Sequence, residues 1–123
     1  MKVKNVRIGI KDVKTALDDF VKTAEAIERG EEVKKKRGIY FTNIAAFKKA
    51  LTEKRMELLH IIKTQKPSSI NELSRMAGRN TKNVSDDLKY LEQIGLVDTK
   101  SEKKAKEIKP LVKYDKILLE INL

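Results

Sequence analysis

Apolar residues alternate with polar ones over residues 3–10, which predicts a strand at the start of the chain. Over residues 12–29 the apolar positions instead step by four and three, the spacing of one helical face, and Gly30 follows where a helix usually ends. A second short strand is predicted at residues 38–41. The first part of the chain therefore predicts a β-α-β unit. The apolar face of its helix consists of Val13, Leu17, Phe20, Ala24 and Ile27.

Helical spacing returns after this unit. A short helix is predicted first, because Thr42 or Asn43 can cap it and apolar residues follow at helical intervals. A longer helix is predicted at residues 53–66 and ends at Pro67, since proline cannot continue a helix. We expect its buried face to contain Met56, Leu59 and Ile62, widened by Leu58.

Residues 67–99 carry the most informative pattern of the chain. Ser69 and Glu72 form a capping box that starts one short helix, and a turn at residues 78–81 leads into a second helix at residues 82–94. This order is typical of a helix-turn-helix, whose second helix enters the major groove of DNA. The buried face of that recognition helix is predicted to contain Val84, Leu88 and Leu91.

A strand, a charged loop and a return strand follow the recognition helix. We predict the strands at residues 96–100 and 108–113 and the loop at residues 101–107, which together form a wing. The loop lacks Gly and Asn, so a tight two-residue hairpin is not expected. A last run, residues 117–123, alternates apolar residues along one side.

These elements predict an α+β fold class and two regions. Residues 51–123 form a winged helix-turn-helix DNA-binding domain. Residues 1–50 form an N-terminal β-α-β segment that serves dimerisation or partner binding. The apolar surface of this segment and of the terminal run exceeds what a minimal winged helix buries, which favours a homodimer.

Composition and charge narrow the function. The 28 Lys and Arg residues outnumber the 18 Asp and Glu residues, and the net charge of +10 favours a polyanion as partner. The chain has no cysteine, which excludes disulfides and thiolate metal sites. No apolar run approaches the roughly 20 residues that span a bilayer, and the first twelve residues lack the long apolar stretch typical of a signal peptide. We therefore expect a cytoplasmic protein that does not bind membranes.

The candidate DNA contacts lie at the start of the recognition helix and in the wing. Arginine or lysine can pair with guanine, asparagine with adenine and an aspartate with cytosine, while hydroxyl groups can hold phosphates. Lysines at the tip of a wing can contact phosphates along the neighbouring minor groove. In both places an ordinary solvated surface is the alternative. The candidates are Arg79, Asn80, Thr81, Lys82, Asn83, Ser85 and Asp86 in the helix, and Lys103, Lys104 and Lys106 in the wing.

An enzyme is not expected from these residues. Catalysis needs an acid, base, nucleophile or metal that converge on one site. His60 is the single histidine and lies between two apolar pairs, which favours a structural role. No glycine-rich phosphate loop follows a strand, and we predict no cofactor and no metal.

The segment at residues 73–97, LSRMAGRNTKNVSDDLKYLEQIGLV, resembles the MarR-like and ArsR-like winged helix-turn-helix regulators. The whole chain is similar to a small prokaryotic family of predicted DNA-binding transcriptional regulators. Residues 6–10, 28–31, 40–41 and 114–115 carry this wider resemblance. Members of that family resemble antitoxins, which implies autoregulation as one role. The glycine-poor wing departs from the usual pattern.

Three functional hypotheses follow. The first is a homodimeric, sequence-specific regulator of transcription, a repressor that can be autoregulatory, with two recognition helices about 34 Å apart on double-stranded DNA. The alternative is an antitoxin-like interaction module that neutralises a partner protein, such as a cognate toxin, through residues 1–50. RNA binding is third, because only three Phe and three Tyr residues could stack on bases.

Overall fold

The computed structural model of the chain describes residues 4–32, 38–101 and 108–123. Within them the predicted order of helices and strands is confirmed, and the bounds agree to within two residues. The elements are β1 (Asn5–Ile10), α1 (Val13–Glu28), β2 (Ile39–Phe41), α2 (Ile44–Ala50), α3 (Glu53–Gln65), α4 (Ile70–Ala77), α5 (Thr81–Gln93), β3 (Asp98–Ser101), β4 (Ile108–Leu111) and β5 (Lys116–Ile121).

The chain divides into two compact units. The winged-helix unit comprises Leu51–Lys116 together with Lys4, and the sheet unit comprises Asn5–Ala50 together with Ile117–Leu123. The sequence-based division also placed a boundary after residue 50, but it assigned the terminal strand to the winged helix. The terminal strand belongs to the sheet unit instead, because β5 lies beside β1 in the sheet.

The sheet unit is built on three strands in the order β2-β1-β5. β1 and β2 are parallel, with Ile10 beside Phe41 and Gly9 beside Tyr40. One face of the sheet is apolar, because Ile10 is buried and Phe41 packs edge to face on Phe47 of α2 with ring centroids 5.8 Å apart. On the other face Tyr40 covers Gly9 so closely that a Cβ atom there would lie 2.7 Å from the ring. This second face adjoins the polar side of α1.

The winged-helix unit has a continuous core formed by α3, α4 and α5. The predicted buried face of α5 is confirmed, and Leu73 of α4 packs with it. The predicted face of α3 is wrong at Met56, which is 53% exposed. α3 contacts both α4 and β4, so its buried residues lie in two adjacent pairs rather than on a narrow stripe. The buried residues of α3 are Leu58, Leu59, Ile61 and Ile62.

The wing begins directly after the core. β3 and β4 pair antiparallel, and Asp98 lies beside Leu111 at the base of the wing. The Tyr114 hydroxyl donates a hydrogen bond to the carbonyl oxygen of Leu96 at 2.9 Å, which ties the end of the wing to its beginning. The predicted loop tip, with Lys103, Lys104 and Lys106, lies outside the described residues.

Candidate nucleic-acid interface

The turn between α4 and α5 is fixed by its own backbone and caps. Gly78 ends α4 in the left-handed conformation with φ 65°, and the Arg79 amide donates to the Ser74 carbonyl at 3.0 Å. Asn80 then caps α5, because its side-chain oxygen accepts from the Lys82 amide at 2.8 Å. Three residues, 78–80, separate the two helices, and two of them are the caps. The hydrogen bonds within the turn therefore set the direction of α5.

A cluster of two arginines, one aspartate and one tyrosine joins this turn to α3 and α5. Asp87 accepts from Arg79 Nη2 at 2.7 Å through one carboxylate oxygen and from Arg55 Nε at 3.0 Å through the other. The Arg55 guanidinium carbon lies 4.2 Å from the centroid of the Tyr90 ring. The three charged side chains are only 16% to 20% exposed. Asp87 therefore holds the turn and two helices together.

This cluster changes the position expected for Arg79. The sequence predicted an exposed side chain that contacts DNA, but the structure places most of the guanidinium in the interior against Asp87. Its Nη1 atom is buried and has no hydrogen-bond partner among the described residues. A buried carboxylate two turns along α5 attracts this side chain more strongly than water does. Arg79 thus stabilises the turn.

The other residues predicted at the start of α5 lie together at its exposed end. Thr81, Lys82, Asn83 and Asp86 are exposed, and Ser85 is half-buried. Burial of the opposite face of α5 fixes this orientation. The first turn of a helix also carries unpaired backbone N–H groups and a partial positive charge, both of which favour phosphate. With the capping residue Asn80, the exposed end of α5 combines one cation, two amides, two hydroxyls and one carboxylate. It can form hydrogen bonds with bases and with phosphates.

Sequence reasoning missed Arg55, Asp87 and Tyr90. Asp86 and Asp87 look equivalent in the sequence, yet one is exposed and the other joins two arginines. Arg55 lies 32 residues away from Asp87, so no local spacing relates the two. The helical angle was the one signal available, because Asp87 lies nearer to the buried face of α5 than Asp86 does.

Two ionisable groups with shifted pKa values lie where the wing ends. Burial raises the pKa of Tyr114 to about 12, and the charge of Asp98 adds to the effect. The pKa of Asp115 is lowered, first by the hydrogen bond from the Lys4 amide at 2.9 Å and then by Lys63, whose Nζ lies 3.1 Å away. Both groups make structural contacts within the winged-helix unit.

The described residues contain neither a group of three metal-ligating side chains nor a membrane-spanning helix. No three His, Cys, Asp or Glu residues among them lie close enough to hold an ion. No helix in the described ranges is long and apolar enough to cross a bilayer.

Comparison with known proteins identifies one family. The model of the HVO_A0114 family matches residues 50–119, which include α3, α4, α5 and the wing. No curated protein matches the chain.

Several solved structures match part of the chain. The homodimeric winged helix-turn-helix DNA-binding domain of Mb0332 from Mycobacterium bovis, a possible ArsR-family transcriptional regulator, is 23% identical with a TM-score of 0.47. That match covers 56% of this chain and 62% of that domain's length. Reduced HlyU from Vibrio cholerae is 26% identical with a TM-score of 0.47, and the match covers 56% and 70% of the two chains. A predicted DNA-binding transcriptional regulator from E. coli is 22% identical with a TM-score of 0.49, covering 77% and 84%.

Proposed function

The chain belongs to the HVO_A0114 family, and we propose that it is a homodimeric regulator of transcription that reads double-stranded DNA. The observation that carries the proposal is the exposed N-terminal end of α5, which Asp87 holds in place, in a unit that also contains an antiparallel wing. A net charge of +10 adds long-range attraction to DNA. The regulator acts as a repressor and represses its own gene.

Each exposed residue at the end of α5 has a role in this proposal. Lys82 and Asn83 contact base edges in the major groove, where lysine suits guanine and asparagine suits adenine. Asn80 uses its oxygen for the cap, so its amide nitrogen remains to donate to a phosphate. Thr81 and Ser85 hold phosphates through their hydroxyls. Asp86 accepts from cytosine and repels other registers through its charge.

The wing and Arg79 act differently. Lys103, Lys104 and Lys106 contact phosphates beside the recognition helix, which adds affinity that does not depend on sequence. Arg79 is a positioning residue, because its pair with Asp87 at 2.7 Å fixes the turn that aims α5.

Substitution of Lys82 by alanine tests the assignment of α5. Lys82→Ala should weaken binding of a specific duplex by about 1–3 kcal/mol, since it removes a base contact without disturbing the buried face of the helix. Fluorescence anisotropy of a labelled duplex measures the loss. Lys48→Ala is the matched control, because Lys48 is also exposed but lies on α2 in the other unit. Equal losses for both variants would mean that α5 does not read the duplex.

Ionic strength supplies a second test of the same proposal. A dimer that makes roughly 6–10 phosphate contacts should lose about 10³–10⁵-fold in affinity between 50 and 200 mM salt. Binding that hardly changes over this range would exclude contact through phosphates.

One observation favours a second function. The apolar face of α1 is exposed, and such a face can bind and neutralise a partner protein, such as a toxin, through residues 1–50. Co-purification with the product of the neighbouring gene tests this alternative. Loss of that complex in Phe20→Glu, with binding of the duplex retained, would support it.

A further inference from the structure

α1 exposes an apolar face that no described residue of the sheet unit covers. None of its 16 residues, all of which the structure describes, is buried. An amphipathic helix normally turns such a face toward the core. A helix of this length is also only marginally stable in water without a packing partner. The exposed apolar residues are Val13, Leu17, Phe20, Val21 and Ile27, which are 50% to 71% exposed.

The opposite side of α1 is the one that adjoins the sheet. Thr15 and Asp19 line an open groove of about 570 Å³ together with Gly9 and Tyr40 of the strands. Asp19 pairs there with Lys11 at 2.7 Å, and the Lys11 ammonium lies 4.5 Å from the centroid of the Tyr40 ring. The helix therefore turns its polar side to its own sheet. Its apolar face points away and requires a different partner.

We propose that this apolar face of α1 packs against the same face of a second copy of the chain, with the two helices antiparallel. The inference rests on the homodimer of the proposed function and names its interface. An aromatic side chain buries roughly 150–250 Å², so Phe20 and its four aliphatic neighbours would together bury on the order of 500 Å² per protomer. The total of about 1,000 Å² is at the lower limit for a biological interface.

The spacing of the face suits a two-fold axis beside Phe20. Val13 and Ile27 lie seven residues before and after it, so an antiparallel pair places each of them against the other residue of the second copy. Leu17 and Ala24 are related in nearly the same way. The two Phe20 rings meet at the axis. The pattern is thus complementary to itself when one helix is reversed.

Charges beside the apolar face favour the antiparallel direction. Lys14 lies near the start of α1, and Glu25 and Glu28 lie near its end on the same flank. In an antiparallel pair Lys14 of one copy comes beside Glu25 and Glu28 of the other, and the symmetry repeats this attraction. All three side chains are exposed and available for such pairs.

Engineered cysteines test both the partner and the direction, because the chain has no cysteine of its own. Phe20→Cys should form a disulfide-linked dimer on mild oxidation, since facing Cα atoms at a helix crossing lie within the roughly 4.4–6.8 Å that a disulfide needs. Val13→Cys should not, because an antiparallel pair separates the two positions by about 21 Å. A mixture of Val13→Cys and Ile27→Cys chains should cross-link. Cross-linking of Val13→Cys alone would overturn the antiparallel arrangement.

Sedimentation of the full chain without DNA supplies the second measurement. The wild-type chain should be a dimer at tens of micromolar, and Phe20→Glu should raise the dimer dissociation constant by about 30-fold or more. Lys22→Glu is the matched control, because it places the same residue on the polar side of α1 and should leave the dimer intact. Circular dichroism verifies that both variants keep their helices.

The outcomes separate this inference from the proposed function. A wild-type monomer, or a Phe20→Glu dimer as tight as the wild type, would overturn the interface. A wild-type monomer would mean that the apolar face of α1 binds a different protein. Binding of a specific duplex by such a chain would leave the reading of DNA by α5 in place. Failure to bind any duplex, with the cross-links as expected, would instead overturn the proposed function alone.

Discussion

α5 and α1 carry the same kind of apolar stripe but pack in opposite ways. Val84, Leu88 and Leu91 of α5 are buried in the core of the winged-helix unit, where α5 packs on α4. Leu17 and Phe20 of α1 are 59% and 71% exposed. Helical periodicity therefore identifies an apolar face without identifying what covers it. In the winged-helix unit the cover comes from the same chain, and for α1 we propose that it comes from a second copy.

The difference matches the two tasks that we propose. A recognition helix must be aimed accurately, and a closed core with the Asp87 cluster keeps α5 in one orientation. A helix that joins two copies must instead leave its apolar face open until they meet. The core around α5 is formed within one chain, while the apolar face of α1 needs a second copy to cover it.

The same substitution in the two helices is the strongest test of this comparison. Leu88→Ala should lower the free energy of unfolding by about 2–5 kcal/mol, because it leaves a cavity in the core. Leu17→Ala should cost less than about 0.5 kcal/mol in the monomer, because Leu17 is exposed there. Urea denaturation of dilute protein measures both values. Equal costs would mean that α1 packs within its own chain.

The arginine cluster gives the next largest effect. Asp87→Asn should lower the free energy of unfolding by about 1–3 kcal/mol, because two largely buried arginines lose their counter-charge. Asp86→Asn, one residue away but exposed, should change it by less than about 0.5 kcal/mol. Thermal and urea unfolding of the pair measure the contrast. A loss as large for Asp86→Asn would argue against a special role for Asp87.

The helix ends could be predicted from the sequence, but the position of the Arg79 side chain could not. Ser69, Gly78 and Asn80 mark helix ends through local hydrogen bonds, so the helix-turn-helix could be predicted with accurate bounds. Arg79 could not be placed, because its partner lies eight residues away on another element. The residues that share an exposed face on α5 were predictable from the helical angle. Their contacts with DNA remain a prediction.

The neighbours of β5 and the buried face of α3 also could not be predicted from local sequence patterns. The alternation at residues 117–123 predicted a strand, but no local signal related that strand to β1 in the other region. The helical spacing of Met56 with Leu59 and Ile62 predicted a core residue, although the contacts of α3 with α4 and β4 leave Met56 exposed. Local order follows from spacing and caps, while neighbours that are distant in the sequence decide burial.

The hydrogen bond of Tyr114 at the base of the wing should make a smaller contribution to stability. Tyr114→Phe should cost about 1 kcal/mol at neutral pH, because the Leu96 carbonyl loses its donor. The folded state raises the pKa of Tyr114 from 10.0 to about 12, so its stabilising effect is complete below pH 10 and is lost as the pH rises toward 12. Unfolding of both proteins across this range measures the difference. A gap that stays constant up to pH 12 would contradict this assignment.

The charges beside the apolar face of α1 give the smallest expected effect. Lys14→Glu should raise the dimer dissociation constant by roughly 3–10-fold, because exposed ion pairs contribute little individually and symmetry doubles them. Addition of Glu28→Lys to that variant should restore most of the affinity. Sedimentation equilibrium measures both, with Lys22→Glu as the unchanged control. A double variant weaker than Lys14→Glu would exclude this pairing of charges.

We propose that the winged helix binds one particular DNA sequence. A fluorescence-anisotropy titration against the DNA upstream of its own gene, beside a scrambled duplex of equal length and composition, tests it most directly. We predict binding to the upstream duplex at least about 10³-fold tighter than to the scrambled one at physiological salt. Equal, weak binding to both would contradict sequence-specific regulation.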